Sequence, residues 1–289
     1  MKKCLIVINE MSGHAARIDT DALRRKFSVA YDVDFAYVRS RDDEWSADGY
    51  DLVVACGGDG TFNRALNLCS QSASDLIYYG YGTFNECAKA KGTRPGGAEF
   101  IRLYEYASVG DKYFGYVAAA GSFTPLGYIV KPEKKQKLGI FAYLLEVIKQ
   151  YRVCDIAARI AADDEEFSGR FTLIMAIDSM RCFGFRFNRL YRPDDGKIHL
   201  LLIRTPKVGG LLGKIAVFFP LFRAFFIGFN KEVRSRNLVF RAVSEAAFSL
   251  DEPQIFDVDG DAVTLQGYIR VSVKKPAGEI YIGDASMLR

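Results

Sequence analysis

His14 and His199 are the only histidines among 289 residues, which makes a Ser-His-Asp relay or a histidine-rich metal site improbable. Chemistry must rest on carboxylates, lysines, hydroxyls and backbone N–H groups. The best-placed set lies in Leu52–Asn63, LVVACGGDGTFN. Four apolar residues and Cys56 read as a short buried strand. Gly57 and Gly58 let the backbone turn where a side chain would clash. Asp59, Gly60 and Thr61 follow, and TFNRALNLC reads as a helix that Thr61 or Asn63 could cap. A strand, a glycine turn and a helix start gather backbone N–H groups at one point, which suits an anionic group such as phosphate. Taken alone, the same stretch also reads as an ordinary βα turn with a glycine cap.

The rest of the composition sets bounds. Hydrophobic residues are 49% of the chain and charged residues 26%, enough to fill a core and unlike a disordered chain. The net charge of +4 is slight, and no basic run with interleaved aromatics points to nucleic acid. Cys4, Cys56, Cys69, Cys87, Cys154 and Cys182 are scattered with no CxxC pair, so they read as buried thiols in a reducing compartment. The apolar run in MKKCLIVINEMSG is too short for a signal peptide, and the expected location is cytoplasmic.

The positioning elements follow in order. Cys4–Asn9 reads as a buried strand, Ala15–Phe27 as a helix, Phe35–Val38 as a second strand ending in Arg39 and Ser40, and Leu76–Tyr81 as another strand before Gly82-Thr83-Phe84-Asn85 and a helix ECAKAK. Strands alternating with helices predict an α/β domain with a parallel sheet, whose ligands bind at the carboxyl ends of the strands. Ser12-Gly13, Gly57–Thr61 and Gly82–Asn85 all fall on that edge.

The style changes at KGTRPGG, residues 91–97. The expected division is 1–95, rejoined by 276–289, and 96–275. Aromatic and β-branched segments from FIRLYEYASV to YIRVSVK predict a mainly antiparallel, β-sandwich-like second domain. A helix at Pro132–Tyr151 interrupts it. Val208–Asn230, VGGLLGKIAVFFPLFRAFFIGFN, is the most apolar region, but Lys214, Pro220 and Arg223 deny it the charge-free run of a spanning helix. It reads either as two core helices broken at Pro220 or as an interfacial segment with phenylalanines toward lipid. In the second reading Lys207, Lys214, Arg223, Lys231, Arg234 and Arg236 would face headgroups.

The ordered set GGDGTFNRALN (57–67), GTFNECAKA (82–90), YVAAAGSFTPLGY (116–128), KPEKKQKLGIFAYLLEVIK (131–149), RPDDGKIHLLLIR (192–204) and FDVDGDAV (256–263) resembles the diacylglycerol kinase catalytic family, in particular soluble bacterial lipid kinases related to sphingosine and ceramide kinases. The first glycine motif is shared with other kinases; the ordered set is specific. The resemblance implies an NAD-kinase-like first domain that binds ATP and a second domain that forms a lipid cleft. It further implies peripheral membrane association and, often in the family, dimers. Asn9, Ser40, Gly57, Gly58, Asp59, Gly60, Thr61, Asn63, Thr83 and Lys135 would serve the nucleotide. Asp259 would be the base, and Asp59 and Asp261 would help hold Mg²⁺. A structural Mg²⁺ would map to the Arg192 and Lys197 carbonyls and the Asp195 side chain. Phosphoryl transfer needs positioning and charge neutralisation more than covalent chemistry, so this set suffices.

Departures from the family pattern mostly keep polar character and bear more on metal geometry than on fold. The opening N-P-x-S-G is Asn9-Glu10-Met11-Ser12-Gly13, with His14 where a basic residue is usual. Glu86 replaces an aspartate, Asp178 an asparagine, and Asp261 a glutamate. Asp259-Gly260 by itself is also a common hairpin turn, and Asp194-Asp195-Gly196 reads as a turn. DVDGD is not a calcium loop, because Ala262 holds the required glycine position and Tyr268 the closing acid. Two other functions remain in view: an NAD kinase, which shares GGDGT, and a kinase fold that binds lipid or nucleotide without catalysis.

Overall fold

The computed structural model describes residues 1–83, 85–90, 98–122, 153–182 and 184–288. The helix expected at Pro132–Tyr151, with Lys135, and the 91–97 stretch lie outside them. The chain forms two compact units, Met1–Tyr116 with Lys274–Arg289, and Val117–Val273.

The first unit is built on parallel strands. β1 (Lys2–Asn9), β2 (Tyr31–Val38), β3 (Leu52–Gly57) and β4 (Asp75–Gly80) pair in the order β2-β1-β3-β4. β3 is buried throughout, as a central parallel strand must be, whereas β2 at the edge alternates between partly buried and exposed. Helix α1 (Thr20–Phe27) starts where the Asp19 carboxylate accepts the Ala22 N–H at 2.8 Å. The expected helix from Ala15 is therefore split. Ala15–Arg17 forms one 3₁₀ turn, and the Asp19 cap begins a new helix. Helix α2 (Asp59–Ser72) buries Phe62, Ala65, Leu66 and Cys69, the i, i+3, i+4, i+7 face. Its N-cap is Gly58, with no side-chain cap; Thr61 and Asn63 sit inside the helix and do not cap it. Helix α3 is Glu86–Ala90.

The unit continues past the expected boundary at residue 95. Strand β5 (Phe100–Leu103) pairs antiparallel with a strand of the C-terminal tail, Ile280–Gly283, which pairs parallel with β4. Leu288 joins the core with Leu23, Phe27 and Tyr79. The hairpin β6 (Tyr106–Val109) and β7 (Lys112–Phe114) belongs here too. The side chain of Asn67 brackets Tyr113, accepting its N–H and donating to its carbonyl at 3.0 Å each. These bonds to α2 explain why the division falls at Tyr116.

The second unit is antiparallel. It holds β8 (Val117–Gly121), β9 (Ile156–Ala162), β10 (Glu165–Ile177), β11 (Ile198–Arg204), β12 (Val233–Arg234), β13 (Leu238–Val243), β14 (Glu245–Val258) and β15 (Asp261–Lys274). The order is β12-β13-β11-β10-β8-β14-β15. β9 pairs with the first halves of β10 and β14, and β8 with their second halves. Both long strands shift register in between, at Phe171/Leu173 on β10 and Leu250/Gln254 on β14. Such bulges let one strand serve two parts of a folded sheet.

Between β11 and β12 runs α4 (Gly210–Phe222), which passes directly into a π turn at Arg223–Ile227. The helix is not broken at Pro220. It runs on into the π turn, where the Arg223 N–H is shared by the carbonyls of Phe219 and Pro220. No helix among the described residues is long and apolar enough to cross a membrane. All six cysteines are free, five of them buried, and burial pushes the Cys4 and Cys69 thiols up to about 12.

Candidate active site

Within the first unit, the loops after β1, β3 and β4 meet through their backbones. A Cβ on Gly82 would lie 2.5 Å from the Gly58 Cα, and one on Gly57 would lie 2.2 Å from the Thr61 Oγ1. A Cβ on Gly13 would lie 2.5 Å from the Thr83 Oγ1. Glycine is required here by close approach, since none of these positions has a positive φ. The Tyr81 N–H donates to the Gly57 carbonyl at 2.6 Å, and the His14 N–H to the Tyr81 carbonyl at 2.9 Å.

Side chains lock the junction. Asn9 Nδ2 donates to Thr61 Oγ1 at 2.7 Å, while its Oδ1 accepts the Met11 N–H at 3.0 Å. Asn85, held at φ 48°, accepts the Gly82 N–H at 2.7 Å through Oδ1 and donates to the Gly80 carbonyl at 3.2 Å. His14 Nδ1 lies 3.0 Å from the Gly82 carbonyl. The Asp59 carboxylate accepts the Cys87 N–H at 3.0 Å, which fastens the first glycine turn to α3. Burial raises the Asp59 pKa, opposed by backbone N–H groups of Cys87 and Glu86 and by Lys89. Gly58 is extended (φ −90°, ψ −171°), so the first-turn N–H groups of α2 begin at this junction.

Ser40 lies just past the end of β2 and is drawn into a turn. Asp43 accepts its hydroxyl at 2.8 Å and its N–H at 3.0 Å, and also the Arg39 N–H at 2.6 Å. These bonds hold the half-buried Asp43 carboxyl below its ordinary pKa. Asn63 points away from the glycine turn. It is buried, and its amide donates to the Tyr113 carbonyl at 2.9 Å. Thr83 is exposed at the loop.

In the second unit, Asp259 and Gly260 are the two-residue turn of the β14–β15 hairpin, with φ of 53° and 105°. Positive φ at both positions is the type I′ pattern that Asp-Gly favours. The turn also fixes a buried acid. Asp259 exchanges two bonds with Val117, accepting its N–H through Oδ1 and donating its own N–H, both at 2.9 Å. The buried Asp257 accepts the Gly260 N–H at 2.7 Å. Asp261 is exposed. In the Asp194-Asp195-Gly196 turn, Asp195 Oδ1 accepts the Lys197 N–H at 3.1 Å and Arg192 donates to the carbonyls of Arg189 and Tyr191.

Residues 3–104 match the family model described as the diacylglycerol kinase catalytic domain. That stretch of the chain is similar to the catalytic domain of diacylglycerol kinases. It is 26% identical over 232 residues to a diacylglycerol kinase of Staphylococcus epidermidis, covering 73% of each chain. To a diacylglycerol kinase of Bacillus subtilis it is 24% identical over 230 residues, covering 73% of this chain and 71% of that one. In fold it resembles the crystal structure of a diacylglycerol kinase from Bacillus anthracis, with a TM-score of 0.64, 14% identity and 96% of each chain covered.

Kinases of this family use a nucleotide, and the glycine junction has the chemistry for its phosphates. Magnesium is a separate question. Among the described residues no three His, Cys, Asp or Glu side chains cluster as a metal cage. Mg²⁺ bound with phosphates needs only one or two carboxylates from the protein. Asp59 supplies one such oxygen donor at the glycine turn, so this part of the residue set fits. Sequence reading misses Asn85 and His14, which bond to the Gly82 loop in the first unit, and Asp257, which holds the hairpin turn in the second. Asn85 is legible as the polar residue after Gly-Thr-Phe. Asp257 is legible in the D-x-D spacing at a strand end.

Proposed function

We propose that this protein, like the diacylglycerol kinases it resembles, transfers the γ-phosphate of ATP to the hydroxyl of a diacylglycerol-like lipid. The backbone junction of Gly57–Thr61 with Gly82 is the observation that carries this reading. It concentrates a helix N-terminus and tightly apposed glycines where an ordinary βα turn would have side chains.

In this reading the N–H groups of Gly58, Asp59, Gly60 and Thr61 receive phosphate oxygens. Asn9 holds Thr61 in its rotamer, and Asn85 and His14 fix the height of the Gly82–Thr83 loop. Mg²⁺, when bound, would neutralise phosphate charge, with Asp59 the ligand and Asp261 assisting. Asp259 accepts the proton of the lipid hydroxyl as its oxygen attacks the γ-phosphorus. The bond from that phosphorus to the β–γ bridging oxygen breaks, and ADP leaves. A carboxylate is a weak base, but a well-placed acceptor is sufficient as the oxygen attacks. The Val117 N–H on Oδ1 orients Asp259. Ser40 would border the nucleotide through the Asp43 turn, and Asn63 would support it from within α2. Lys135 and the structural Mg²⁺ at Arg192, Asp195 and Lys197 stay part of the proposal, as do a cytoplasmic location and a homodimer.

The test is transfer of label from γ-labelled ATP with Mg²⁺ into detergent-dispersed lipid extract, with NAD as a parallel acceptor. A labelled lipid, identified by mass spectrometry, is the expected product. Label in NAD alone, or ATP binding with no transfer, would replace this reading by an NAD kinase or a non-catalytic binder.

A further inference from the structure

The strongest unassigned surface is the outer face of α4. Leu212, Ile215 and Phe219 stand at i, i+3 and i+7 and are 68%, 46% and 66% exposed. Val208 before the helix and Ile227 in the π turn are each 51% exposed. The opposite face is satisfied, with Val217, Leu221, Ala224 and Phe225 buried. Phe225 and Phe226 do not face outward as the interfacial reading of the sequence expects. They pack edge-on against Phe185, with ring centroids 6.0 and 5.0 Å away, and Phe226 stacks on Phe222 at 5.1 Å. The apolar face is thus narrower than the run of phenylalanines, and it belongs to a helix packed on its other side.

Its surroundings are basic. Residues 179–193 contain four arginines, residues 205–231 contain four lysines or arginines, and neither stretch contains Asp or Glu. The two stretches are neighbours in the fold. The Arg189 N–H donates to the Phe229 carbonyl at 2.9 Å, and its guanidinium reaches the Ile227 carbonyl at 3.3 Å. Arg223 lies over the Phe229 ring at 5.6 Å. Arg234 departs from the expected headgroup set, because its guanidinium pairs with Glu165, which Arg241 also holds at 2.7 Å.

We propose that this face docks on an anionic lipid bilayer, with α4 lying in the interfacial plane, Leu212, Ile215 and Phe219 inserted, and Lys207, Lys214, Arg186, Arg189 and Arg223 at the headgroups. Charge selects this occupant. A second copy would bring two basic rims together, whereas anionic headgroups complement the rim. A 13-residue helix with an exposed apolar face, carrying Lys214 and flanked by Lys207 and Arg223, has the dimensions for lying on a bilayer and not for crossing it. The inference goes beyond the transfer reaction and does not depend on the acceptor.

The experiment is co-sedimentation with phosphatidylglycerol/phosphatidylcholine vesicles and with phosphatidylcholine alone, for wild type and Leu212→Asn/Phe219→Asn. Transfer to dioctanoylglycerol in detergent is measured alongside. Binding to anionic vesicles should fall at least about tenfold in the variant, with circular dichroism and micellar transfer retained. A Phe219→Trp protein should show a blue-shifted emission component when anionic vesicles are added. Unchanged sedimentation of the folded variant would overturn the proposal, as would absence of wild-type binding or an unshifted emission from the Phe219→Trp protein. Loss of micellar transfer in the folded variant would assign the face to acceptor binding instead. A wild-type dimer made monomeric by the substitutions, with vesicle binding intact, would assign it to a second copy.

Discussion

The Asp59 carboxylate caps the helix that follows a different strand, accepting the Cys87 N–H at 3.0 Å. Asp59 therefore joins the loops after β3 and β4 as well as presenting charge to a nucleotide. Asp59→Ala should remove the cap and cost roughly 1 kcal/mol of stability. Asp59→Asn keeps an acceptor, so its stability should stay near wild type while Mg-dependent ATP affinity falls. Urea denaturation and calorimetric ATP titration with and without Mg²⁺ measure the two effects separately.

Gly60 and Gly82 should respond oppositely. A Cβ at Gly60 meets nothing within 4 Å, and the residue lies in the first turn of α2. Gly60→Ala should stabilise the fold by about 0.5–1 kcal/mol yet weaken ATP binding by placing a methyl over the phosphate-facing N–H groups. Gly82→Ala must push against the Gly58 Cα and should cost about 1–3 kcal/mol, with ATP binding lost as the loops part. Thermal melts with and without ATP distinguish them. A Gly60→Ala protein that binds ATP as wild type does would remove the phosphates from this turn.

The centre of the first sheet is legible in the sequence because β1, β3 and β4 carry short apolar runs, the last two ended by glycine. The extension of that unit to Tyr116 is not. It depends on Asn63 and Asn67 reaching Tyr113, bonds between residues 50 and 46 apart in sequence. Motif position alone points Asn63 at the nucleotide, but the helix turns it to the opposite side from Gly58. The phenylalanines of 218–226 cannot be sorted into packed and exposed from composition. Phe185 decides it, through contacts that no local period encodes.

His199 gives a pH dependence of stability. It is 1% exposed and stacked on Phe240, with centroids 5.7 Å apart, and Nδ1 has no hydrogen-bond partner among the described residues. Burial, with Lys197 adding to it, lowers its pKa to about 4. The unfolded imidazole takes a proton near its ordinary 6.5, so between these values the unfolded state binds more protons. Stability from this group is complete above the unfolded pKa and lost as pH falls toward the folded one, by up to roughly 3 kcal/mol. His199→Phe should flatten that part of the acid limb. The measurement is the difference in urea midpoints between wild type and variant at neutral pH and near about pH 4.

Asp259→Asn is the most direct test of the transfer mechanism. Asparagine tolerates the positive φ and can still accept the Val117 N–H, so the hairpin should stand. Single-turnover transfer from labelled ATP to dispersed diacylglycerol should fall by about 10²–10⁴-fold, with ATP affinity unchanged. Transfer at the wild-type rate by this folded variant would contradict the assignment of Asp259 as the group that takes the hydroxyl proton.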